Sequence, residues 1–338
     1  MTPIDRATAA VSKVAFGLAG GLIAPRLSIL IFHRVLGALD PLFPDQLDFA
    51  RFDQLLDAIG QAFRVMTLGE ALTHLEQKSL PPRSLVLTFD DGYADNAEVA
   101  LPILRRHGMA ASFFVATGFL DGGRMWNDTV IEAVRASPLD TVDLGDFGLD
   151  RLPLGTTEER RAAIDALLRR VKYKPFGERD LAAQRIVRLL RCEKLPGELM
   201  MRREQVRELH LAGMEIGAHT KCHPILTCLP LEDAKHEITA GRDELVQIIQ
   251  SPVDVMAYPN GQPTRDYGPE HVEAVRQAGF RGAVTTAPGV ARLGDDVFQL
   301  PRFTPWDRGH PSWFARLFVN QWRTAFEVAR PPGEDAIR

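Results

Sequence analysis

Two adjacent acids, Asp90 and Asp91, end the apolar run SLVLTFDDGY (Ser84 to Tyr93), and Gly92 follows where the backbone can turn sharply. A buried charge is costly unless it is paired or holds a cation. A core strand delivering two carboxylates therefore suggests a metal, a catalytic base, or both. The same letters also suit a solvated turn with a helix cap, because Asp and Gly are ordinary turn residues. Further on, MEIGAH leads into HTKCHP, with His219 and His223 four residues apart. On a helical turn or tight loop that spacing puts both imidazoles on one side, near enough to share a cation, although such pairs also arise by accident on surfaces. Two neutral imidazoles and one carboxylate are a ligand set for a divalent transition metal that leaves positions open for water and substrate, a catalytic pattern rather than a structural one. Cys222 lies between the histidines, but three ligands from HTKCH on one ion would strain so short a loop, so its thiol is left out.

To meet, these groups must stand at the ends of neighbouring strands. LSILIFHRV (Leu27 to Val35) has strand length, with His33 near its C-terminal end. Phe52, Leu55, Leu56, Ile59 and Phe63 recur at helical spacing, and a second short helix over Leu68 to Gln77 stops at the prolines of LPPRS before the DDG strand. Asp95 can cap a helix running to Arg106, and Gly108 supplies a left-handed stop before ASFFVA. The alternation returns with a helix over Arg202 to Ala212 before MEIGAH, a strand VDVMAYP, and a helix over Pro269 to Ala278 before RGAVTT. Strands separated by helices imply parallel pairing, and barrels of this kind assemble their active sites from strand C-termini. Leu120 to Met201 breaks the rhythm. Thr156 and Glu159 have capping-box spacing, and helical periodicity follows, so this stretch reads as a mostly helical insertion at about 120–201. It could wall one side of the active-site face or be a decorative subdomain.

At 338 residues with 45% hydrophobic content, the chain fits one α/β barrel with an insertion. A net charge of -4 and a pI near 6.2 show no basic excess, which argues against a nucleic-acid partner. Cys192, Cys222 and Cys228 are an odd number without CxxC spacing, against a disulfide framework and in favour of a reducing compartment. The apolar, Gly-rich stretch Val14 to Pro25 is too short to span a bilayer; it reads as a helix packing on the barrel or lying on a membrane surface. The expected organisation is residues 1–26 as an N-terminal helical segment, 27–325 as the barrel, and 326–338 as a disordered tail. The expected location is cytoplasmic or peripheral to the inner membrane.

Three motifs in order, TFDDGY, HTKCHP and AYPNG, resemble the NodB-homology polysaccharide deacetylases, carbohydrate esterase family 4, over roughly Leu27 to Pro305. The resemblance implies a distorted (β/α)7-type barrel and metal-assisted removal of N-acetyl or O-acetyl groups from a glycan. It also implies that Asp91, His219 and His223 bind the metal and that Asp90 is the general base. The oxyanion donor it implies is a backbone N–H in the third motif, assigned here to Tyr258. The chain departs from the family pattern in two places. Where many members carry an Arg that orients the base, AYPNG offers Ala257; Arg302 in LPRF is the candidate replacement, grouped with Tyr258 and Trp126 on the oxyanion and substrate side. The usual late strand ending in His is also absent, and His310 sits in a turn-like GHP context. His33 instead resembles the acid of a permuted subset that includes poly-N-acetylglucosamine deacetylases, in which the His strand comes first. In a closed barrel the first and last strands are neighbours, so such a permutation is harmless. A core histidine bonded to backbone is the alternative. Trp126, Asn127 and Asp128 in MWND could line a sugar groove or pack, and Trp306 and Asp307 carry the same two readings. The expected enzyme is thus a zinc-type de-N-acetylase of an acetylated amino-sugar glycan, although nickel, cobalt or iron fit the same ligands. The rivals are an amidase of a small non-sugar substrate and a glycan-binding pseudoenzyme.

Overall fold

The run that carries the two acids forms a fully buried strand, β3 (Ser84–Phe89), in a computed structural model that describes residues 25–304, 316, 317, 319, 320, 325–331 and 333. The other strands are β1 (Arg26–Phe32), β2 (Arg64–Met66), β4 (Ser112–Val115), β5 (Thr141–Asp143), β6 (Arg151–Pro153), β7 (Glu215–Ala218), β8 (Val255–Ala257), β9 (Gly282–Pro288), β10 (Ala291–Arg292) and β11 (Leu300–Arg302). The helices are α1 (Phe49–Ala62), α2 (Leu68–Glu76), α3 (Leu101–Arg106), α4 (Trp126–Ala136), α5 (Thr157–Val171), α6 (Phe176–Leu189), α7 (Arg203–Leu211), α8 (Leu231–Ile249) and α9 (Pro269–Gln277).

Strands β1, β3, β4, β7, β8, β9 and β11 pair parallel in that order. A parallel bridge between Leu30 and Phe303 joins the last of them to the first, with Phe303 N–H donating to Ile29 O at 2.8 Å. The result is the expected distorted (β/α)7-type barrel, with β2 added alongside β3 and β10 antiparallel to β1. Closure sets the end of β1, which leads into His33, beside the end of β11, which carries Arg302.

The two-residue period of the strands divides the core into two layers. Leu85, Leu87 and Phe89 face the helical layer, where Phe89 stacks between Phe32 and Phe113 with centroids 5.0 and 4.7 Å away and α1 adds Phe52. Val86 joins Ile29, Phe114, Val255, Val284 and Leu300, contributed from around the barrel, in the interior. Gly217 in β7 is small because a Cβ there would lie 2.5 Å from the Phe114 ring. Leu68 and Leu72 of α2 belong to the same interior cluster, and the Glu215 carboxylate accepts from Leu68 N and Gly69 N at that helix's start. Continuing the alternation, Thr88 and Asp90 point inward. Local signals hold as well: Asp48 caps α1 by accepting from Arg51 N, and Thr67 with Glu70 forms a capping box on α2, each worth about 1 kcal/mol.

The segment between β4 and β7 contains α4, α5, α6 and the antiparallel β5–β6 pair, with a separate apolar cluster that includes Val130, Val134, Ile164, Leu167 and Leu190. Among the described residues no helix is long and apolar enough to cross a membrane. The tail differs from expectation at its start. Phe326, Val328 and Ala329 are buried, and Ala329 N–H donates to Gln299 Oε1 at 2.7 Å, because apolar residues there complete the cover over β11. The N-terminal segment through residue 24, Trp306, Asp307 and His310 lie outside the described residues.

Candidate active site

At the end of β3 the sheet register extends one residue further, with Asp90 N–H donating to Phe32 O at 2.9 Å. The backbone then reverses through two left-handed residues, Asp91 at φ 78° and Gly92 at φ 90°. Glycine is required at the second, where a Cβ would lie 2.9 Å from Val115 Cγ1. Asp91 holds a conformation that costs a non-glycine residue about 1 kcal/mol or more, and the turn aims its carboxylate at the loop after β7.

That loop is not helical, since Thr220 and His223 have φ values of 62° and 51°. It is held from within by His223 N–H donating to Thr220 Oγ1 at 3.1 Å, and from α8 by Glu237, whose carboxylate accepts from Cys222 N at 2.7 Å. Gly241 of α8 lets the helix approach, because a Cβ there would stand 2.5 Å from the Thr220 carbonyl.

The turn and the loop bring Asp91 Oδ1 within 3.4 Å of both His219 Nε2 and His223 Nε2, and one donor atom from each residue lies within 4.8 Å of the others. A tetrahedral ion with bonds of about 2.1 Å separates its donors by about 3.4 Å, so the spacing suits a first-row divalent metal. Chemistry agrees with geometry. His219 Nδ1 lies 2.8 Å from Ala257 O, an acceptor only, so that nitrogen carries the proton and Nε2 is left with its lone pair toward Asp91. Burial, with His219 and Arg179 nearby and against the pull of Asp91, lowers the His223 pKa to about 3, which leaves that ring neutral. Burial works against the Asp91 charge, yet the two histidines hold its pKa well below the usual carboxylate range. Cys222 stays outside the cluster, and burial with Glu237 beside it pushes its thiol up to about 11.

Asp90 faces the other way. Arg302 donates to Asp90 Oδ1 from Nη1 and to Oδ2 from Nη2, both at 2.7 Å, with Thr285 O and Thr88 Oγ1 taking further donors of the same guanidinium. Burial would raise the Asp90 pKa, but Arg302 outweighs it and holds the carboxyl below its ordinary value. Arg302 has no side-chain exposure, so its contact is with Asp90 and not with anything bound in the cavity, which corrects its grouping on the substrate side.

A second correction concerns Tyr258. Its N–H is occupied by Val284 O at 3.1 Å in the β8–β9 pairing, its hydroxyl donates to Phe298 O, and its ring stacks on Tyr267 at 4.0 Å. Neither group is free to meet an oxyanion. Asn260, two positions on and not singled out from the sequence, lines the cavity at φ 59°, and its N–H has no acceptor among the described residues. Its signal was the YPNG turn, since Pro, Asn and Gly are turn residues and Asn tolerates the left-handed region.

A cavity of about 600 Å³ opens over these groups, and His33, Asp90, Asp91, His219, His223 and Asn260 all line it. His33 is exposed, and its carbonyl accepts from Asn96 Nδ2 at 2.9 Å. Trp126, Asn127 and Asp128 at the start of α4 form part of the wall, and Asp128 accepts from the Tyr93 hydroxyl at 3.1 Å. Burial and the charge of Asp91 push the Asp128 carboxyl up to about 7.

Comparison with known proteins bears on this geometry. The polysaccharide deacetylase family model matches residues 77–170 and 178–283. YxkH of Bacillus subtilis (strain 168) is 22% identical over 278 residues, which cover 82% of this chain and 70% of that protein. Among solved structures, the Streptococcus pyogenes deacetylase PplD in complex with acetate is similar at a TM-score of 0.58 and 17% identity, covering 89% of this chain and 100% of that one. IcaB from Ammonifex degensii is similar at a TM-score of 0.57 and 21% identity, covering 88% and 97%. The matched stretches include Asp90, Asp91, His219, His223 and most of the insertion between them, while His33 and Arg302 lie outside. With the acid pair, the histidine loop and more than half of the chain inside that match, the chain belongs to the polysaccharide deacetylase family, hydrolases that act on C–N bonds of acetylated sugars.

Proposed function

We propose that the protein is a metal-dependent de-N-acetylase of an amino-sugar glycan, with Asp91, His219 and His223 holding a divalent ion, most simply zinc. The observation that carries this reading is the convergence of those three donors within 4.8 Å, beside a carboxylate that Arg302 clamps through both oxygens. When bound, the ion supplies Lewis acidity and lowers the pKa of water.

The remaining chemistry belongs to side chains and backbone. Asp90 takes the proton of the attacking water, and Arg302 keeps the carboxylate ionised and aimed. The Asn260 N–H donates to the oxygen that gains charge as the acetyl carbon becomes tetrahedral. His33 gives a proton to the departing nitrogen as the C–N bond breaks, leaving acetate and a free amine. Trp126 offers an aromatic face to a pyranose ring.

Acetate release from a panel of acetylated glycans by the metal-loaded full chain tests the reading. Asp90→Asn should abolish release while metal stays bound, whereas Asp91→Ala or His219→Ala should lose the metal. Undiminished release by Asp90→Asn would overturn it.

A further inference from the structure

The insertion meets the C-terminal face of the barrel along a run of neighbouring strands. At β1, Arg135 of α4 donates to both oxygens of Asp40, at 2.9 and 2.6 Å, and Leu42 is buried in the insertion's own apolar cluster with Phe43 packed against it. At β3, the Tyr93 hydroxyl donates to Asp128 of α4 at 3.1 Å. The insertion itself follows β4. At β7, Arg179 of α6 lines the cavity near His223. At β8, the Tyr173 hydroxyl, just past α5, donates to Asp266 at 3.3 Å, and the Arg265 guanidinium lies 4.4 Å from the centroid of the same ring.

In the ring order β1, β3, β4, β7, β8, β9, β11 this arc is centred on β4, and β9 and β11 complete the ring on the far side. Asp91 at the end of β3 and the two histidines after β7 flank β4, so a group that reacts there is carried in beneath the insertion, away from β9 and β11. A subdomain kept only for its own stability could be anchored at the strand it follows. Bonds to the loops on both sides, out to Asp40 and Asp266, instead make it a wall. The cavity behind that wall, about 600 Å³, has the size that encloses a small ligand and not a long chain.

We propose that the insertion closes the cavity on the side of Asp91 and the histidines, so that a glycan enters from over β9 and β11 by one end and only its terminal acetylated residue reaches Asp90. This rests on the de-N-acetylase reading above. A chain reacting at an internal residue would have to run on past that residue into the wall, whereas a chain end stops short of it. The substrate class is thus the end of a glycan, and each chain gives up one acetyl group.

Binding to the Asp90→Asn protein, which should not turn over, tests the closure apart from catalysis. The probes are N-acetylglucosamine hexamers, β-1,4- and β-1,6-linked, each untagged or carrying a bulky tag at the reducing end, at the non-reducing end, or at both. A tag at one end should weaken binding about tenfold or more, and the doubly tagged hexamer should bind as poorly, whereas a tag at the other end should leave affinity within about twofold. The end that does not tolerate the tag is the one that enters. A doubly tagged hexamer that binds as tightly as the untagged one is held by its interior and overturns the proposal, and so does equal weakening by the two single tags, which a general obstruction would give. Exhaustive digestion of untagged dimer through hexamer by the metal-loaded, unaltered protein is a separate readout. Mass spectrometry should count one acetate lost per chain at every length, and loss of several from one chain overturns the proposal while leaving the de-N-acetylase reading intact. Neither binding nor release with any untagged chain fails that reading, and the proposal with it.

Discussion

Asp90 and Arg302 form, at residue scale, a bidentate ion pair with almost no exposure on either side. Removing one partner of such a pair leaves an uncompensated buried charge, which costs about 3–5 kcal/mol. Arg302→Met should therefore lower the melting temperature, and misplacing the carboxylate should reduce acetate release by about a hundredfold. Without Arg302, burial raises the Asp90 pKa, so the acid limb of the rate profile should move to higher pH; an unmoved limb would show that Asp90 is not the group that titrates. Asp128 allows an independent check in metal-free protein. Its folded pKa of about 7 exceeds the ordinary carboxylate value, so its proton stabilises the fold below that ordinary value, and the benefit is lost as pH rises through 7. The melting temperature of Asp128→Asn relative to the unaltered protein should hence improve between about pH 5 and pH 8, and a constant difference would contradict the assignment.

At the scale of elements, the loop after β7 that carries His219 and His223 is held in part by α8 packing against it. Gly241→Ala places a methyl group 2.5 Å from the Thr220 carbonyl, so loop and helix must separate. Metal affinity should fall about 10- to 100-fold, as when an outer support of a ligand is lost, in a protein that still folds. Competition with a chromogenic chelator measures this, and unchanged affinity would show that α8 does not set the loop. Sequence spacing suggested one side of a helical turn or a tight loop for His219 and His223. The loop prevailed because Thr220 and His223 are both left-handed, which no helix allows.

For the whole molecule, one bridge between Leu30 and Phe303 decides which residues can act together, since it brings the start and end of the barrel into contact. A metal held by Asp91 just past β3 and by two histidines after β7, as proposed, would bind the folded chain and not the unfolded one. Adding zinc at about a hundredfold over its dissociation constant should contribute about 2.7 kcal/mol, a rise of a few degrees in a thermal scan. Asp91→Asn should abolish that rise, and a variant that kept it would place the ion elsewhere.

The alternation of apolar strands with capped helices determined a parallel barrel, because burying β-branched runs between amphipathic helices has few other solutions. Acids and histidines at strand ends likewise declared a common face. Two matters were beyond the letters alone. That Arg302 takes the place Ala257 leaves open depends on β11 lying beside β1, a contact between residues 212 apart in the chain for the Arg302–Asp90 bond. That the Tyr258 N–H is consumed and the Asn260 N–H is not depends on where the β8–β9 pairing stops. Short-range patterns fix what each segment can become, whereas hydrogen-bond partners and charge neighbours are settled when distant segments meet.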